Sequence, residues 1–101
     1  MYLKELIEFL AARDPAIIVP LGFHKPHSYR GRYDELAFEP LENTTVGAML
    51  ECARSAIGQT YEGYKGGDYK MGEYTDVNLS EYGTTGEEIG PILLRYMIGE
   101  L

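Results

Sequence analysis

The sequence predicts an α+β domain, a small antiparallel sheet packed against two or three helices. Three observations predict it. Two stretches place apolar residues at helical spacing, short apolar or alternating runs lie among them, and the Gly- and Pro-containing segments between these runs read as turns and loops, with no repeat or linker. At 101 residues the chain is one domain's worth, read as a single unit over 1–101.

In chain order, residues 2–13 read as an amphipathic helix. Leu3, Leu6, Ile7 and Leu10 recur at i, i+3, i+4 and i+7. Asp14-Pro15 ends it, because the residue before proline is pushed out of the helical region. Ala16-Ile17-Ile18-Val19 reads as a short buried strand. Residues 20–34 contain Pro20, Gly22, Pro26 and Gly31 and read as an irregular loop. Glu35 to Glu39 alternates like a half-buried strand, stopped by Pro40. Asn43-Thr44-Thr45 offers helix caps. Val46, Met49, Leu50, Ala53 and Ile57 share one helical face, and Gly58 suits the position after the helix. Residues 59–74 are rich in Tyr and Gly, 75–82 read as a strand with Val77 and Leu79 inward, and Gly83-Thr84-Thr85-Gly86 reads as a turn. Residues 87–98 fit a helix with Glu87-Glu88 at its N-terminus and Pro91 in its first turn, although Ile92-Leu93-Leu94 also suits a strand.

Composition bounds the function. Hydrophobic residues make up 45% and charged residues 25%, which disfavours disorder. The net charge of −7 disfavours a general nucleic-acid binder, whose phosphate contacts need a basic surface. The single cysteine, Cys52, forms no intrachain disulfide and reads as a packing residue of the second helix. The N-terminus lacks the pattern of a signal peptide, and the apolar runs fall far short of the ~20 residues a membrane span needs, so a cytoplasmic location is expected. A domain this small leaves little room for an internal cavity. A sizeable ligand then calls for a surface cleft or a site between subunits, and a homo-oligomer is expected.

Two constellations suggest binding. Residues 15–33 carry Lys25, Arg30 and Arg32 with no carboxylate, together with His24 and His27. This +3 segment leaves −10 for the rest of the chain, so an anion would be drawn to one place. The alternative is that the cations neutralise neighbours such as Asp34 and Glu35. The second constellation is Tyr61-Glu62-Gly63-Tyr64-Lys65-Gly66-Gly67-Asp68-Tyr69. Tyrosines offer stacking faces, lysine a charge for phosphate, and glycines a closely approachable backbone. The alternative is a hairpin whose Gly-Gly makes the turn and whose tyrosines pack on the sheet. The expected ligand-binding set is Lys25, His27, Tyr29, Arg30, Tyr61, Tyr64, Lys65, Asp68 and Tyr69. No P-loop, zinc motif or catalytic triad is present in the sequence, and no cofactor, metal or catalytic residue is assigned.

Ser28-Tyr29-Arg30-Gly31-Arg32-Tyr33-Asp34-Glu35-Leu36-Ala37 and the run from Ile57 to Met71 resemble a widespread group of small uncharacterised proteins of tailed bacteriophages. With Thr45-Val46-Gly47 and Val77-Asn78-Leu79, the likeness spans about residues 25–83. The resemblance implies a phage origin and action in the host cytosol. By analogy with phage accessory proteins of this size, it implies a role against host defence. The expected function is sequestration of a small anionic, nucleotide-like signal. The alternatives are an acidic protein inhibitor of a host defence nuclease that mimics nucleic acid, and a small nucleotide-degrading enzyme using His27 or Asp68 as acid or base.

Overall fold

The computed structural model describes residues 1–63, 65–82 and 85–100, with residues 81, 82 and 85 described by their backbone alone. Helix α1 spans Leu3–Ala11, and Leu3, Leu6 and Leu10 are fully buried along its inner stripe. The Glu5 carboxylate accepts from the Tyr2 N–H at 2.8 Å, satisfying one donor of the first turn. Asp14 then accepts from the Ala16 N–H at 2.9 Å, turning the chain into the sheet.

Strands β1 (Ile18–Tyr29) and β2 (Arg32–Thr45) form one long antiparallel hairpin. The expected loop over 20–34 is therefore strand on both sides of a turn at Arg30-Gly31, and β2 continues through Pro40 to Thr45. The reason is position in the sheet. The strand order is β1-β2-β5-β6, so β1 is an edge, where proline's missing N–H costs no ladder bond on the open side. Lys25, at φ 48°, and Pro26 form a bulge between the pairs His24–Glu39 and His27–Ala37. Pro40 lies past the three-residue pairing of β2 with β5, where β2 has only β1 beside it.

Helix α2 spans Val46–Ala56. Thr45 caps it, its hydroxyl accepting from the Ala48 N–H at 3.1 Å, and the Pro15 and Ile17 carbonyls take the Gly47 and Val46 N–H groups at 3.0 Å. Gly58 follows the helix at φ 75°. Strands β3 (Thr60–Glu62) and β4 (Asp68–Lys70) then make a small hairpin, and the chain returns as β5 (Val77–Tyr82). Within the α+β class the sheet is mixed rather than wholly antiparallel. Leu36, Ala37 and Phe38 pair in parallel with Val77, Asn78 and Leu79. A parallel partner needs a long crossover, and α2 with the β3–β4 hairpin supplies it.

Strand β6 (Thr85–Glu88) runs antiparallel to β5. Glu87 and Glu88 therefore lie on a strand, not at a helix N-terminus. Of the turn expected over Gly83 to Gly86, Gly83 and Thr84 lie outside the described residues, while Thr85 and Gly86 belong to β6. Helix α3 covers Pro91–Met97, with Pro91 in its first turn. Its end is closed by two reverse bonds, Gly99 N–H to the Tyr96 carbonyl at 3.2 Å and Glu100 N–H to the Arg95 carbonyl at 2.8 Å, with Gly99 at φ 83°. One core joins all three helices to the sheet. Within it Phe23 and Phe38 meet with ring centroids 4.2 Å apart.

Gly22 is required by this packing, because a Cβ there would overlap Thr44 Cγ2 and the Met49 sulfur. Gly22→Ala is expected to cost about 1–3 kcal/mol in urea unfolding. Gly72→Ala, with open space around the new carbon, is expected to change stability by less than about 0.5 kcal/mol.

Candidate binding site

The sequence-expected residues fall along the distal half of the β1–β2 hairpin and on the β3–β4 hairpin. The two segments meet through Tyr33 and Tyr69, whose ring centroids are 5.7 Å apart at 36°. A Cβ at Gly63 would sit 2.9 Å from the Tyr69 ring and 3.4 Å from that of Tyr33, so glycine lets these rings close over the backbone. Gly66 and Gly67, at φ 93° and 86°, make the hairpin turn. Tyr61 and Tyr69 are half-buried and pack against the core. The Tyr/Gly segment thus has the hairpin form, with Lys65 and Asp68 exposed at and beside its turn. Tyr64 lies outside the described residues.

The cations are spread rather than gathered. Lys25 lies in the bulge of β1 and Arg30 in the turn beyond its end, on the order of 15 Å apart at about 3.3 Å per residue. Lys25 is exposed in the bulge, and Tyr29 and Arg30 are half-buried and engaged by other groups of the protein. Arg32 is 3.4 Å from the Glu35 carboxylate, whose other oxygen accepts from the Asn78 amide at 3.0 Å. For Arg32, local neutralisation holds. His27 Nδ1 lies 2.9 Å from the Ser28 carbonyl, and His24 is paired across the strands with Glu39.

Cys52 of α2 lies near this region. Burial pushes its thiol pKa up, a hydrogen bond from the Lys25 backbone opposes the rise, and the Glu51 charge adds to it. Tyr61 is likewise raised, by burial first and then by Cys52. A raised thiol holds less thiolate at neutral pH, the reverse of an activated nucleophile. Among the described residues no three His, Cys, Asp or Glu side chains gather as a metal-ligand set, and no helix is long and apolar enough to cross a membrane.

A concavity lies elsewhere. A groove of about 680 Å³ runs between the first half of β1 and α3. Ile18, Pro20 and Leu21 form one wall, Leu93, Tyr96 and Met97 the other, with Gly22, Pro40 and Leu79 between them. Ile18 is 70% exposed, Leu21 60% and Tyr96 71%, so this apolar lining faces solvent. None of the sequence-expected residues that are described lines it. Its signal in the sequence was α3 itself. Ile92, Leu93, Leu94, Tyr96, Met97 and Ile98 place apolar side chains around more of a short helix than one core contact can cover.

The α3 wall is held by a clamp. Arg13 donates to both oxygens of Glu100, at 2.7 and 2.9 Å, and to the Phe9 carbonyl at 2.6 Å. Its guanidinium lies 3.3 Å from the centroid of the Phe9 ring. The hydrogen bond from Arg13 holds the Glu100 carboxyl below its ordinary pKa, with the Arg13 and Arg95 charges in support.

Comparison of the chain with protein-family models, with curated proteins and with solved structures finds no match.

Two outcomes follow from these shifts. Alkylation of Cys52 by iodoacetamide at neutral pH is expected to be several-fold slower in the folded protein than in urea, with its pH midpoint displaced upward. Glu100 has a depressed pKa, so its contribution to holding α3 is present above the ordinary carboxylate pKa and is lost as acid takes the pH down through the folded value. NMR titration is expected to show the Glu100 carboxyl returning towards its ordinary value in Arg13→Ala.

Proposed function

We propose that the protein is a binding module without turnover, and that it docks onto a partner protein through the groove between β1 and α3. The observation that carries this reading is the solvent-facing apolar lining formed by Ile18, Leu21 and Tyr96. Large apolar side chains clustered on a surface are the ordinary mark of an interface. On a chain of net charge −7 they suit a partner whose own surface is basic. The resemblance to tailed-phage proteins directs the search to proteins of an infected bacterium, host defence proteins among them. An inhibitor of that kind needs only to occupy the partner's working surface.

A second reading is sequestration of a small anionic, nucleotide-like ligand at the junction of the two hairpins. It is supported by the meeting of the two distinctive segments at Tyr33 and Tyr69. Incubation with cyclic dinucleotides and cyclic ADP-ribose isomers separates the cases. Ligand recovered intact after denaturation means sequestration, altered ligand means catalysis by groups such as His27 or Asp68, and no retained ligand removes this reading.

For the docking reading, proteins captured from a host lysate are purified and rebound to the parent chain and to Leu21→Asp. Leu21 is largely exposed, so the variant is expected to fold. Loss of an interface anchor of about 2 kcal/mol weakens rebinding about 30-fold. A purified partner that binds Leu21→Asp as tightly as the parent, while Arg30→Ala or Lys65→Ala abolishes binding, would move the site to the hairpin junction.

A further inference from the structure

We infer that the groove between β1 and α3 is built for an amphipathic helix whose apolar face is flanked by Lys or Arg. This inference rests on the docking reading and names the form and charge of the partner segment.

Strand addition is the first alternative, since β1 is an edge of the sheet. That edge resists it. Pro20 and Pro26 have no N–H to donate, and Lys25, at φ 48°, breaks the register where a new strand would continue. The apolar walls are instead a strand on one side and a helix on the other, with Gly22 and Pro40 between them. From Ile18 to Gly22, at about 3.3 Å per residue, the strand wall runs roughly 13 Å. That length accommodates two to three turns of helix at about 5.4 Å each, the spacing of anchors at i, i+3 or i+4, and i+7.

Register sets the charge of the rim. Leu21 is paired across the strands with Glu42, and Leu79 with Glu87. Directly opposed residues share a face of the sheet, so both carboxylates stand beside lining residues, and both are exposed. The nearby arginines are already committed, Arg13 to Glu100 at 2.7 Å and Arg95 to the same carboxylate at 4.0 Å. A helix with cations beside its apolar stripe therefore meets two carboxylates that pair with no cation among the described residues. A second copy of this chain would bring carboxylates towards carboxylates.

Three fluorescent peptides test this with the whole chain: a Leu/Lys peptide at helical period, a Leu/Glu peptide at the same period, and a Leu/Lys peptide at strand period. Anisotropy is expected to show the helical Leu/Lys peptide binding at least tenfold tighter than either of the others, and weakening as salt rises. Leu21→Asp is expected to weaken it at least tenfold. The double variant Glu42→Lys, Glu87→Lys is expected to reverse the preference towards the Leu/Glu peptide. All three positions are exposed, and circular dichroism checks that each variant folds. Equal binding of the helical and strand-period peptides overturns the helix, and equal binding of the Lys and Glu peptides overturns the charge. A dimer by sedimentation that Leu21→Asp dissociates gives the groove to a second copy. If none of the peptides binds while a purified partner still loses affinity for Leu21→Asp, this inference fails and the docking reading stands.

Discussion

The structure depends on the burial of three consecutive residues. Leu36, Ala37 and Phe38 of β2 are fully shielded, which on a strand means that both faces are covered. A strand in that position needs a neighbour on each side and material above and below. β1 and β5 supply the neighbours, and the helices supply cover. Because β5 must arrive in parallel, the chain between β2 and β5 has to cross over the sheet, and this fixes where α2 and the β3–β4 hairpin lie. β1 is left as the edge. An edge strand with two prolines and a bulge is protected against unwanted pairing, but its first half still carries Ile18 and Leu21 outward beside α3.

Helices were the most legible part of the sequence. Leu3, Leu6 and Leu10, Thr45 with Gly58, and Pro91 are local signals, and each acts in the structure as its chemistry predicts. The hairpin over 18–45 was not legible, because Pro20, Pro26 and Pro40 break a central strand but not an edge or a stretch with a neighbour on one side only. Whether a strand is an edge is decided by residues distant in sequence. The parallel pairing was hidden for the same reason. Strand–helix–strand order was readable, but the intervening β3–β4 hairpin disguised the crossover.

The candidate site divides in the same way. Residue type alone pointed to Tyr, Gly, Lys and Arg, and the structure gives several of these a role in packing. Tyr61 and Tyr69 contact the core, Gly63 makes room for two rings, and Arg32 pairs with Glu35. The groove arises from apolar residues whose exposure is a property of the assembled fold. Ile18 and Val19 are adjacent in sequence, yet Val19 is fully buried and Ile18 is 70% exposed. The account therefore turns on which face of the molecule does the binding.

That question is most directly answered by amide shifts of ¹⁵N-labelled protein, recorded during titration with a purified partner and, separately, with a cyclic dinucleotide. The account predicts that the partner perturbs the backbone of Ile18 to Gly22, Leu79 and Leu93 to Gly99, and leaves the turns at Arg30-Gly31 and Gly66-Gly67 unchanged. Perturbations confined to those two turns, with the β1–α3 groove silent, would contradict it.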